Sequence, residues 1–141
     1  MKLKLPLYVT IPRKTKADRV LWLNLNVYRN THYLVLNQAK AEYARLVGAA
    51  LAGMRPDRMD PPPYRFKYTI YPATARAFDL ANVAPIVQKF TDDALITLGI
   101  IPEDNYKIIP AIEYAFGAVD RADPRAELEI GHAFVDKSKN M

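Results

Sequence analysis

Between Phe78 and Asn105 the chain gathers residue types that can do chemistry together: carboxylates at Asp79, Asp93, Glu103 and Asp104, an amide at Asn82 and an amine at Lys89. At about 100° per residue, Asn82, Lys89 and Asp93 fall within about 40° of one another on a helix, with Asp79 just ahead of the same edge. Val83, Val87, Phe90, Ala94 and Leu98 form the adjoining apolar stripe. The polar line thus runs along a border between core and solvent, where a side chain can be held and still reach a ligand. Carboxylates so placed suit Mg²⁺, which activates water and neutralises charge building on a phosphate, and a nearby lysine would stabilise the leaving oxygen. Asp79, Asp93 and Asp104 are expected to converge if the turn from Pro102 to Asp104 folds back beside the helix. The same spacing also describes a solvated helix with a Lys89–Asp93 surface pair.

The elements that must position these residues follow from pattern. Asn82 is expected to cap the helix, with Pro85 in its first turn and Gly99 at its end. Ahead of it, alternation predicts a strand over Leu3–Ile11, with Pro6 favouring an edge, and an extended piece over Leu21–Val27. Asn37 is expected to cap a helix over about Gln38–Ala52. A rigid polar loop, Arg55–Pro63, leads to a strand at Tyr64–Tyr71. Two more strands are expected over Lys107–Phe116 and Glu127–Phe134. The fold class is α/β, as an α+β sandwich: two helices packed on a mixed, mostly antiparallel sheet of about four strands. One domain is expected over residues 1–135, followed by a flexible tail, 136–141.

Composition narrows the function. A chain of 141 residues that is 50% hydrophobic can bury one core. Without cysteine there are no disulfides, thiolate nucleophiles or thiolate zinc sites, and the two histidines, His32 and His132, are too few for a histidine metal cluster. No apolar run is long enough to span a membrane, and the start lacks a signal-peptide pattern, so a cytoplasmic protein is expected. Residues 1–70 hold 13 Lys and Arg against 4 Asp and Glu, whereas residues 71–141 hold 7 against 11. That split suits a protein that grips a polyanion with one part and holds a divalent metal with another; it equally describes a solvated basic surface.

Candidate polyanion contacts sit in the basic half. Arg13, Lys14 and Lys16 form a basic loop able to meet phosphates. Asn26, Arg29 and His32, near Tyr28 and Tyr33, can bond phosphate, sugar or base, although a hydrogen-bonded loop explains them equally well. Arg76 and Asn82 flank the acidic stretch and complete the set.

In the order of its motifs the chain resembles the RusA-type Holliday-junction resolvases, particularly phage-borne members. The N-terminal strand with its basic loop, LNLNVYRNTHY before the first helix, the D-x-x-N…K…D-A-L helix, the GIIPEDN turn and the closing strand pair carry the likeness over nearly the whole chain. Asp79 and Asn82 match the first aspartate and the asparagine of the family's D-x-D-N motif, while Ala81 replaces its second aspartate. Lys89, Asp93, Ala94 and Leu95 match K-x-x-x-D-A-L, and Glu103 and Asp104 stand at the D-D turn. The stretch from Asn82 to Lys89 is four residues longer than in shorter members, close to one helical turn. The resemblance implies a homodimer that binds four-way or other branched DNA and nicks two strands symmetrically in recombination and repair. Mg²⁺, or Mn²⁺, would be its only cofactor, with no membrane partner and no small-molecule cofactor. It also implies Asp79, Asp104, Lys89 and Asp93 as catalytic residues, and Asp79, Asp104, Asp93 and Glu103 as metal ligands. Loss of the second aspartate leaves open a DNA-binding relative with weak or no catalysis, and beyond the family a structural or regulatory protein whose acids are surface decoration.

Overall fold

The structure, a computed structural model, describes residues 1–76 and 79–133. The expected tail at 136–141, and Phe134 at the end of the last expected strand, lie outside them.

The first alternating stretch is two strands rather than one. Strand β1 (Lys2–Leu5) and strand β2 (Tyr8–Ile11) both alternate exposed and buried residues, but they enter different sheets. Pro6 has no N–H to give a ladder, so pairing stops there and the chain turns. β2 pairs antiparallel with β3 (Arg19–Trp22) in a small two-stranded sheet. The main sheet has the order β1-β6-β4-β5, with β4 at Tyr64–Tyr71, β5 at Ala111–Phe116 and β6 at Arg125–His132. β6 runs antiparallel to both β1 and β4, whereas β4 and β5 are parallel. A parallel neighbour needs a crossover, which the central helix supplies.

Three α-helices are described where two were expected: α1 (Leu25–Asn30), α2 (Tyr33–Leu51) and α3 (Leu80–Thr97). The extra one, α1, replaces the second half of the expected extended piece at Leu21–Val27. Asn24 ends the alternation by accepting a 2.8 Å hydrogen bond from the Val27 N–H, which opens a helix rather than prolonging a strand. His32 caps α2, its Nδ1 accepting from the Leu34 N–H at 3.2 Å, so the helix starts ahead of Asn37. α3 is capped by Asp79 in place of Asn82, with Oδ1 accepting from the Ala81 N–H at 2.9 Å. Pro85 therefore falls in the second turn, leaving the carbonyl of exposed Ala81 without its helical partner. Gly99, at φ 74°, closes the helix, and the Ile100 N–H reaches back to the Leu95 carbonyl at 2.9 Å.

The core lies between the helices and one face of the main sheet. Phe66, Tyr68 and Ile70 of β4 and Leu128 of β6 are fully buried there, beneath Val87 and Leu95 of α3. α3 has α2 on its other side, where Tyr43 sets its ring edge-on to Phe90 at 5.7 Å and its hydroxyl 3.1 Å from that of Thr91. The opposite face of the sheet is polar and stitched by ion pairs: Lys2 with Glu127 and Glu129, Arg65 with Glu113, and Lys4 and Arg125 with Asp123.

Candidate functional site

The predicted polar line on α3 exists, and each of its members is engaged by the first two helices. The Asn82 side-chain oxygen accepts a 3.3 Å hydrogen bond from the Leu25 N–H, an otherwise unpaired donor at the start of α1. Lys89, exposed, holds its ammonium 5.4 Å from the centre of the Tyr28 ring. Asp93 pairs with Lys40 of α2 at 3.0 Å rather than with Lys89 one turn away. A lysine on a neighbouring helix reaches the carboxylate because α2 packs against α3 along this edge, while Lys89 leans towards α1.

The acid with the most unusual surroundings is one the sequence reading passed over. Asp92 is 3% exposed. Tyr68 donates to its Oδ1 at 3.3 Å and Gln88 to its Oδ2 at 3.2 Å, and Tyr114 in turn donates to the Gln88 carbonyl oxygen. Burial pushes the Asp92 carboxyl up to about 6, against the Gln88 and Tyr68 hydrogen bonds; the negative charges of Asp104 and then Asp93 add to the rise. The charge of Asp104 is thus felt at Asp92, in the second half of α3. The signal that could have found Asp92 is helical phase: it lies on the arc shared with Leu95 and Gln88, the side turned to the sheet. Matching D-A-L drew attention to its neighbour Asp93 instead.

The expected convergence of Asp79, Asp93 and Asp104 therefore does not form, because α3 is continuous from Asp79 past Asp93 and its length holds the acids apart. Asp79 stands at its N-terminal end, exposed and with one oxygen occupied by capping. Asp92 and Asp93 lie more than three turns further on, roughly 20 Å at about 1.5 Å per residue. Asp104 acts on that second group, and Glu103 beside it accepts a hydrogen bond from Asn105. Ala81, in the place of the motif's second aspartate, is exposed in the first turn of α3. Among the described residues no three Asp, Glu or His side chains gather closely enough to hold a metal ion. Mg²⁺ asks for less, since it commonly keeps several waters and takes one or two carboxylates together with substrate phosphate. Asp104, exposed on the turn after α3, offers one such carboxylate, whereas both oxygens of the buried Asp92 already accept hydrogen bonds.

The predicted polyanion contacts are spread over the β2–β3 loop, α1 with the cap of α2, and the loop ahead of α3. Arg13, Lys14 and Lys16 are exposed on the loop joining β2 and β3, and among the described residues none of them forms an ion pair. Arg13 donates to the Ala17 carbonyl at 2.7 Å, which shapes the loop and leaves its charge unneutralised. Asn26 and Arg29 are exposed on α1, and the His32 ring, stacked on Tyr33 at 4.7 Å, is tied by its capping role. Arg76 is exposed beside a small hollow that it shares with Phe116 and Val119. No helix among the described residues is long and apolar enough to cross a membrane.

Neither models of known protein families nor curated proteins give a match to the chain.

Proposed function

We propose that the chain binds branched DNA and cuts it in the manner of the RusA-type resolvases that its motifs resemble, acting as a homodimer with Mg²⁺ or Mn²⁺. The observation that carries the reading is the pairing pattern of its charges. Asp120, Asp123, Glu113, Glu127 and Glu129 are neutralised by lysines and arginines on the main sheet, while among the described residues Arg13, Lys14 and Lys16 form no ion pair on their exposed loop. Unneutralised cations on a loop attract a polyanion and release its counterions on contact.

Asp104, exposed on the turn after α3 with the buried Asp92 behind it, is the carboxylate that would serve cutting; Asp79, roughly 20 Å away along the helix at about 1.5 Å per residue, would not share its ion. A divalent ion held there would offset charge on the scissile phosphate and acidify an attacking water. Asp92, held by Tyr68 and Gln88, would fix the position of Asp104's neighbourhood from inside the core, and Lys89 would hold positive charge near the DNA backbone. A second reading, junction binding without cutting, is favoured by one observation: no three acidic or histidine side chains meet among the described residues. Incubating a labelled four-way junction with the protein, with and without Mg²⁺, separates the two. Paired nicks that need the metal support the nuclease; a stable complex with uncut strands supports the binding protein.

A further inference from the structure

The small sheet buries one face and bares the other. Val9, Ile11 and Leu21 point into the core. On the outer face the register sets Tyr8 opposite Trp22 and Thr10 opposite Val20. Trp22 is 46% exposed and Val20 50%, and the Trp22 and Tyr8 rings lie 4.9 Å apart at 49° to one another. Tyr8 also forms a wall of a groove of about 650 Å³ whose apolar side is Leu46 and Ala50 of α2 with Met54 just beyond it, and whose charged residues include Glu42, Arg45 and Asp123.

Two aromatic rings and a valine held open to water are costly unless a partner covers them. The charge around them says which kind. The loop of the same hairpin carries Arg13, Lys14 and Lys16 against Asp18 alone, while Arg19, opposite Ile11, belongs to the other face. A second copy of this face would add three more loop cations to the three already there, so self-association here is opposed by charge. An unpaired nucleotide strand presents the complementary features: flat apolar faces for the rings and a row of phosphates for the cations. Duplex DNA offers the phosphates but keeps its base faces stacked on one another.

We propose that the outer face of β2–β3 is a stacking platform for unpaired bases, with Trp22 and Tyr8 as its surface and the loop cations holding the phosphates that run past it. This rests on the reading that the chain binds DNA, and it specifies which part of a branched molecule the hairpin takes: the unstacked nucleotides at the branch. Stacking on an aromatic ring is strong enough for its removal to be read as a change in affinity.

Trp22 is the only tryptophan, so its emission reports on this face directly. The full chain is titrated with an oligothymidylate, with an abasic sugar–phosphate strand of equal length, and with a blunt duplex. The platform predicts that oligothymidylate quenches the emission and binds on the order of tenfold more tightly than the abasic strand, which binds without quenching. Trp22→Ala should weaken oligothymidylate binding by a similar factor, followed by anisotropy of labelled DNA, and leave abasic binding unchanged; Trp22→Phe should restore most of the loss. Equal affinity for the two strands with unchanged emission overturns the platform while leaving DNA binding intact. Absence of binding to all three overturns the DNA-binding reading and the platform with it. An emission shift that follows protein concentration without DNA assigns the face to a second copy and also overturns the proposal.

Discussion

Asp79 is the cap of α3 and, by the motif it matches, an expected metal ligand, and the two roles can be separated by choice of substitution. Asparagine caps a helix about as well as aspartate, whereas alanine does not. Asp79→Asn should therefore melt within about 0.5 kcal/mol of the wild type and Asp79→Ala should lose about 1 kcal/mol, measured by denaturant unfolding. Equal losses in both would mean that the charge, rather than the capping oxygen, holds the helix end. Asp92 makes the opposite kind of demand. Its folded carboxyl sits at about 6, above the ordinary 3.8, so the folded protein binds that proton more tightly than the unfolded chain. The resulting stability is complete below about pH 4 and is lost as the pH rises through about 6. Asp92→Asn, whose oxygen can accept from Tyr68 and whose NH2 can donate to Gln88 once the Gln88 amide turns over, should gain on the wild type across that interval and end about 1–3 kcal/mol more stable at pH 7 in chelator-treated buffer. Parallel stability curves for the two proteins would show that Asp92 does not titrate there. The sequence made Asp79 and Asp104 visible through the D-x-x-N motif and the Gly-Pro turn, both local signals, although it placed the helix cap at Asn82. It did not make Asp92 stand out, because a carboxylate's value there comes from Tyr68 and Tyr114 on strands far along the chain.

At the scale of elements, patterns that one segment satisfies alone were legible. The Tyr64–Tyr71 strand has the expected bounds, since its apolar residues alternate without interruption. The helix positions Ala39, Tyr43, Val47 and Leu51 are all buried, as a single inner face at i, i+4 requires. Boundaries set by one side chain were less so: Pro6 divides a continuous alternation between two sheets, and Asn24 and His32 start helices inside stretches that read as extended or loop. The parallel pairing of β5 beside β4 depends on where α3 returns the chain, which no local pattern states. The β2–β3 loop is the element most easily tested. If Arg13, Lys14 and Lys16 each meet a phosphate, replacing all three with glutamine should reduce the slope of log affinity against log salt by up to about 3 on duplex arms, since each contact contributes roughly 0.9. A slope equal to the wild type's would remove the loop from the interface.

For the whole molecule, the decisive features are the division of charge and the division of acids. Arg13, Lys14 and Lys16 stand on the β2–β3 loop without ion pairs among the described residues, and Asp79 and Asp92 lie towards opposite ends of a helix of 18 residues. Paired cuts in a four-way junction need two equivalent sites, which a C2 dimer supplies. Light scattering should accordingly find a dimer at tens of micromolar, where weak self-association is favoured by mass action; a monomer there would count against symmetric cutting by the protein alone. The most direct measurement compares the wild type with Asp104→Asn on an end-labelled four-way junction in Mg²⁺, with strands resolved on a denaturing gel and binding followed in parallel by mobility shift. Symmetric nicks from the wild type, and intact strands in a complex of equal or greater affinity from Asp104→Asn, are the predicted result. An uncut junction with the wild type, or wild-type cutting by Asp104→Asn, would contradict it.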